Sequence, residues 1–310
     1  MVAISPLLGP GKLVGIAAGL AAGALWGLVF VVPRMTPGLS SVDLTAGRFV
    51  SYGLMSALVM ALTWRHQARP TGSQALAALG MSVLGATGYY LLLSLSIHRA
   101  GTEVPTLIIG TIPIWVMLLG KPLGLRWAAL WPGLALTTAG LALMVTAMQP
   151  EQPVAQAGAP DFWWGVALAT AAMVCWTAFA LLNAAWLKRH PEVSAFTWAN
   201  WVGIATGLGA WLLWWLLGST SKELLALDGI APIAIIFIVT GIGSGWAASI
   251  LWNVASQRLS VSLCGQLIVS ETLFALLYSF LWDGAWPGAL TLVAAVLFTL
   301  GILASIRAHP

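Results

Sequence analysis

Long apolar runs follow one another along the whole chain, separated only by short stretches of proline, glycine and single charges. A bilayer core takes about 20 apolar residues per helix. Ten runs approach that length, at 13–33, 44–64, 75–97, 102–120, 127–147, 163–186, 194–217, 230–253, 260–282 and 286–306. Almost no charged faces lie within them, which argues against a large soluble protein with many buried helices. The pattern predicts an all-α integral membrane protein of ten transmembrane helices.

Composition agrees with the pattern. The chain is 60% hydrophobic and 7% charged, with a mean hydropathy of +0.93, whereas soluble proteins carry roughly 25% charged residues. The net charge of +4 comes from basic residues placed singly or in pairs at span ends. Such placement suits the membrane interface and lipid as partner, and not nucleic acid. Cys175 and Cys264 both fall inside predicted spans, so neither a disulfide framework nor a metal-ligand pair is expected, and no cofactor is implied. The first run is too long for the apolar core of a signal peptide. It continues into Trp26 and Phe30 without a clear cleavage site and is read as the first span. Trp64, Trp127, Trp131, Trp163, Trp164 and Trp286 lie at span ends, where indole rings suit the headgroup layer.

With ten spans, both termini share one side. Taking that side as the cytoplasm puts Lys12, Arg65, Arg69, Lys121, Arg126, Lys188, Arg189, Arg258 and Arg307 inside. Arg34, Arg48, Arg99 and Lys222 are left outside. Nine inside against four outside predicts cytoplasmic termini in the inner membrane. The one sizeable linker, 149–161, carries Glu151 and Asp161, no Lys or Arg, and the helix breakers Pro150, Pro153, Gly158 and Pro160. It divides the chain into 1–148, a first five-helix unit, and 162–310, a second, with 149–161 as an extracytoplasmic linker.

Five spans per half would turn the second half upside down, a plan common among transporters. Echoes between the halves support an inverted repeat: Trp26 matches Trp176, Tyr89 matches Trp246, Ser96 matches Asn253 and Pro113 matches Glu271. Some of these residues also carry a family resemblance. Trp26, Gly27 and Phe30, the triplet Gly47, Arg48 and Phe49, and Pro113 of the fourth span resemble the EamA-like branch of the drug/metabolite transporter superfamily. Within it the chain looks closest to the YddG-type aromatic amino acid exporters. Members often carry a Glu after the fourth and ninth spans; this chain has Lys121 and Pro122 near the first position and Asp283 near the second. The resemblance covers essentially the whole chain and implies export of aromatic amino acids.

Enzyme motifs are not found. There is no supported Ser/His/Asp order, no His-Glu-x-x-His and no phosphate loop, so no catalytic residue is assigned and gradients must drive any transport. Polar residues inside spans are more informative, because lipid tolerates them only when they are paired or line a wet cavity. Trp246, Ser249, Asn253 and Ser256 fall on one face of an ideal helix, with Tyr89 and Ser96 as their third-span counterparts. Gln266 and Glu271 share the ninth span but point about 140° apart, so one of them either widens the cavity or makes an interhelical contact. Glu271 is the only acid deep in a predicted span and a candidate partner for a substrate ammonium or a proton. The expected substrate-binding set is Trp26, Tyr89, Ser96, Thr106, Trp176, Trp246, Ser249, Asn253, Gln266 and Glu271. Pro33 and Pro113 are candidate gate hinges. Arg34 and Arg48 lie near outer span ends, where snorkelling is the expected role and binding a substrate carboxylate the alternative. Gly15, Gly19 and Gly23 are read as helix packing. A small-molecule exporter, foremost of amino acids, is thus expected. A broader drug or metabolite exporter, a membrane enzyme and a channel remain as alternatives.

Overall fold

Side-chain caps set where many of the helices begin. Ser40, Ser194 and Ser260 accept hydrogen bonds from the backbone N–H of Asp43, Thr197 and Leu263, at 3.1, 3.0 and 3.2 Å. Thr71 and Gln74 form a reciprocal capping box. Each satisfies first-turn donors that the membrane cannot. Helices end at Gly101 and Gly284, whose φ values of 74° and 62° suit a residue without a Cβ.

The computed structural model describes residues 9–36, 38–63, 65, 69–101, 103–147, 160–225, 230–284 and 286–309. Among them, 9 helices are long and apolar enough to cross a membrane. These are α1 (Pro10–Met35), α2 (Ser41–Leu62), α3 (Gly72–Ala100), α5 (Trp127–Ala147), α6 (Asp161–Arg189), α7 (Ala195–Leu217), α8 (Ala231–Arg258), α9 (Val261–Asp283) and α10 (Ala289–Ala308). The fourth predicted span is a shorter apolar helix, α4 (Val104–Leu119). It breaks at Thr111 into Glu103–Gly110 and Ile112–Leu119. Pro113 has no N–H to give the carbonyl of Ile109, and its ring crowds that carbonyl. The Thr111 hydroxyl donates to the Ile108 carbonyl at 2.6 Å and supplies one internal partner at the break.

Several boundaries differ from the sequence reading by three residues or more, and three have a clear cause. The capping box starts α3 before residue 75. The polar turn of Ser256, Gln257 and Arg258 extends α8 past 253, where it packs on α1. Asp161, placed in the linker by sequence, lies in the first turn of α6, where a proline start and an acid near the N-terminus both favour helix. Residues 149–159 of that linker, with Glu151, and also Trp64, lie outside the described residues.

α9 is the most enclosed helix, with every residue from Ser262 to Ser270 buried. α1 lies along α9 and α8 through Gly15, Gly19, Gly23 and Gly27; a Cβ at Gly27 would stand 2.9 Å from the Ala275 amide nitrogen. α2 pairs with α7, α5 with α10 and α3 with α6, while α4 packs on α9 and α6. The α2–α7 crossing is the closest. A Cβ at Gly53 would lie 2.5 Å from the Gly207 Cα, and one at Gly207 would lie 2.7 Å from the Gly53 Cα. At one end of this pair, buried Asp43 accepts from Trp214 Nε1 at 3.1 Å, the Ser219 backbone N–H at 2.9 Å and the Ser219 hydroxyl at 2.7 Å. Beyond it, the exposed Glu223 carboxyl is held below its ordinary pKa by the backbone N–H and hydroxyl of Thr220.

Gly53→Ala pushes backbone against backbone and is expected to cost about 1–3 kcal/mol, read as a lower melting temperature of the purified protein in detergent. Gly72→Ala meets nothing within 4 Å and should leave that temperature unchanged or slightly raised.

Candidate functional site

Two helices widen where they approach the middle of the bundle. α3 carries a π-helical segment at Val83–Thr87, and α8 a longer one at Gly241–Ala247. A π turn inserts extra residues and rotates the next helical turns relative to an ideal α-helix. The segments sit directly before or across the aromatic residues singled out by sequence, Tyr89 and Trp246. The ideal-helix face assigned to Trp246, Ser249, Asn253 and Ser256 is therefore interrupted. Trp246 Nε1 donates across to Asn200 Oδ1 on α7 at 2.9 Å, and Ser256 is fully buried.

A small cleft, about 30 Å³ in volume, lies between α1, α2, α6, α7 and α8, lined by Trp26, Tyr52, Phe179, Asn183, Val202, Ser249, Trp252 and Asn253. Its aromatic wall continues behind the lining. The Trp252 ring lies 5.4 Å from Trp26 and 6.3 Å from Trp176, which in turn lies 5.9 Å from Phe179. The polar wall is pinned. Asn183 Nδ2 donates to Asn253 Oδ1 at 3.0 Å and Trp198 Nε1 to Asn183 Oδ1 at 2.7 Å, while the Tyr52 hydroxyl donates to the Ala199 carbonyl at 2.7 Å. The Trp252 indole N–H is buried with no hydrogen-bond partner among the described residues.

Nearer the Asp43 end of α2, Arg48 is only 7% exposed. Its Nη2 donates to the Tyr90 hydroxyl at 2.8 Å, and its guanidinium sits 4.6 Å from the Phe49 ring centre and 5.3 Å from that of Tyr90. Arg48 Nε is buried without a partner among the described residues. Tyr89 meets Tyr90 edge to face at 4.9 Å. Glu271 of α9 is half-buried, and its charge lies within electrostatic reach of both Arg48 and Tyr89. Among the described residues, no three His, Cys, Asp or Glu gather as metal ligands.

Of the residues selected from sequence, Trp26, Ser249 and Asn253 line the cleft, Trp176 backs it, and Tyr89 and Glu271 join the charged group. Three others are placed elsewhere. Ser96 donates to the Gly165 carbonyl at 2.6 Å inside the α3–α6 contact. Gln266 Nε2 donates to Thr137 Oγ1 at 2.9 Å, and its Oε1 accepts from Ser305 Oγ at 3.0 Å, tying α9 to α5 and α10. Thr106 is exposed on α4. Pro33 is exposed in the short last turn of α1, and Pro113 is buried at the break in α4. Arg34 forms a two-pronged ion pair with Asp283, both contacts at 2.9 Å, between the exposed ends of α1 and α9. Arg48 does not snorkel: α2 begins at Ser41, so Arg48 stands well inside the helix and against its neighbours. The sequence reading passed over Tyr52, Tyr90, Asn183 and Trp252. An asparagine in the middle of an apolar run was a usable signal for Asn183; the aromatics carry none that separates them from lipid-facing rings.

Gln266→Ala leaves the Thr137 and Ser305 hydroxyls without their partner and should lower stability by about 1–3 kcal/mol. Ligand affinity per folded molecule should be unchanged, measured by melting temperature and equilibrium binding on the same preparation.

No family model matches the chain. A protein of solved crystal structure superposes over 95% of this chain and 96% of its own with a TM-score of 0.71 at 19% sequence identity, a likeness of fold. The inner membrane protein YtfF of Escherichia coli K12 is 34% identical over 315 residues, 96% of each chain. At that identity and coverage, the chain belongs to the family of the inner membrane protein YtfF.

Proposed function

We propose that this chain is a secondary transporter of the cytoplasmic membrane that exports amino acids, aromatic ones foremost, by alternating access. The observation that carries the reading is the aromatic-walled cleft, whose residues come from α1 and α2 on one side and α6, α7 and α8 on the other. Walls drawn from both halves of the chain can part on either side of a bound solute. Indole and phenyl faces favour flat substrates by stacking and by attraction of cations.

Several features support ten spans arranged as two inverted halves. Exchanging the first five helices for the last five maps the α2–α7, α5–α10 and α4–α9 contacts onto themselves. It also turns α1–α8 into α6–α3 and α1–α9 into α6–α4, all of which occur. Both π-helical segments fall in corresponding helices, α3 and α8. Trp26 and Trp176, matched by sequence, flank Trp252 together. Membership in the YtfF family supports the inner membrane as location. The charge bias supports cytoplasmic termini, and the EamA-like resemblance supports transport of small metabolites without a cofactor.

Topology is testable at α4. With Cys175 and Cys264 replaced, single cysteines at Arg99 and Leu123 should label from opposite faces of the membrane. Labelling from one face would make α4 re-entrant and end the ten-span reading. Counterflow of labelled phenylalanine or tryptophan in proteoliposomes tests the function. Trp26→Ala should slow it at least about fivefold at equal protein, the loss of roughly 1 kcal/mol of aromatic contact, and Leu300→Ala on the outer surface should not. If the two variants behave alike, the cleft is not the transport site.

A further inference from the structure

α1 changes character immediately beyond the cleft. Up to Gly27 it is held firmly. The Leu25 carbonyl accepts from the Ser244 hydroxyl of α8 at 2.5 Å, and Gly27 sits against the Ala275 backbone of α9. Leu28–Phe30 then runs as a 3₁₀ turn. The Val31 N–H donates to the Leu28 carbonyl at 3.2 Å and the Arg34 N–H to the Val31 carbonyl at 3.0 Å, in the same tight pattern. Pro33 has no N–H to return to the Val29 carbonyl. A 3₁₀ stretch inside a helix is a place where the axis can hinge. This one begins just after Trp26, which lines the cleft.

Little holds what lies past the hinge. Among the described residues, the only hydrogen-bonded tie from 28–36 to another helix is the ion pair of Arg34 with Asp283, the last residue of α9. Its side chains are 43% and 47% exposed, and exposed ion pairs are weak and screened by salt. The other end of α1 is tied differently: Lys12 donates to the backbone carbonyls of Ile306 and His309 at the end of α10, and His309 is itself buried. A gate must open on thermal energy and close again. A solvated ion pair beyond a hinge does both, whereas a tie that grips buried backbone does not. α1 and α9 come from opposite halves of the chain, so the pair spans the seam between them. We propose that residues 28–36 are a hinged strap and that Arg34–Asp283 is its latch, closing the interior at the face where α1 and α9 both end. The inference rests on the transporter reading and gives that same site a gate.

The test starts from the full-length protein with Cys175 and Cys264 replaced and a single Ser249→Cys in the cleft wall. The rate at which a water-soluble maleimide alkylates that thiol reports access to the cleft. Arg34→Gln and Asp283→Asn should each raise the rate about two- to fivefold, the reach of an exposed pair. High salt should raise it in the parent protein and in neither variant. Exchanging the charges, Arg34→Asp with Asp283→Arg, should return the parent rate, and either single variant suffices should the other fail to fold. In proteoliposomes, Arg34→Cys with Asp283→Cys, joined by a bifunctional methanethiosulfonate reagent, should stop counterflow of labelled phenylalanine and regain it on reduction. An alkylation rate indifferent to both single variants and to salt, or counterflow that continues through the cross-link, overturns the latch. Alkylation that responds as expected in a protein without counterflow in any form leaves the latch standing and overturns the transporter reading instead.

Discussion

In lipid, no expulsion of water pushes one apolar helix onto another, so the bundle depends on how closely backbones can come together. The Gly53–Gly207 crossing of α2 and α7 is the tightest of these approaches, and the glycine row of α1 against α9 is the longest. Both crossings also position residues described above. α2 brings Arg48 and Tyr52 inward while Gly53 seats it on α7. α1 brings Trp26 to the cleft while Gly23 and Gly27 seat it beside Glu271. A side chain added at either seam moves the site along with the seam.

Polar groups divide into two populations, and the division is informative. One set is fully paired: Gln266 with Thr137 and Ser305, Ser96 with Gly165, Asn253 with Asn183, and Asp43 with Trp214 and Ser219. These fix helix rotation and register, because a wrong rotation would strand a donor in hydrocarbon. The other set is buried without a partner among the described residues: Arg48 Nε, the indole nitrogens of Trp201 and Trp252, His309 Nε2 and the hydroxyls of Ser56, Thr177, Ser256 and Ser262. They are spread through the bundle, and of these residues only Trp252 lines the cleft.

The fold was largely legible from the sequence because the membrane imposes one dominant requirement, length of apolar helix, and hydropathy reads that directly. The glycine spacing of α1 was readable for the same reason. The site was only partly readable. Trp26, Ser249, Asn253 and Glu271 stood out as aromatic or polar breaks in apolar runs. Sequence could not separate Gln266, which ties three helices, from Asn253, which lines the cleft, since both are amides in spans and only their partners differ. Arg48 was misread because a charge near a predicted span end usually escapes to the interface; the helix begins earlier than hydropathy suggests, at the Ser40 cap. The π turns were invisible to a pattern search with a period of 3.6 residues, and they rotate Trp246 out of the face assigned to it.

The brevity of α4 has a consequence for the surrounding lipid. At roughly 1.5 Å per residue, Val104–Leu119 reaches about 24 Å, against a hydrocarbon layer of about 30 Å. Its longer neighbours match or exceed that layer. The protein therefore presents unequal hydrophobic heights around its circumference, with exposed Trp115 and Leu119 on the short side. Annular lipids there must thin, or the bundle must tilt, at a cost of fractions of a kcal/mol per ångström. The break at Thr111 lies in this short helix, so acyl-chain length becomes a mechanical input to the bundle: thicker membranes stretch the side that holds the break and thinner ones relax it.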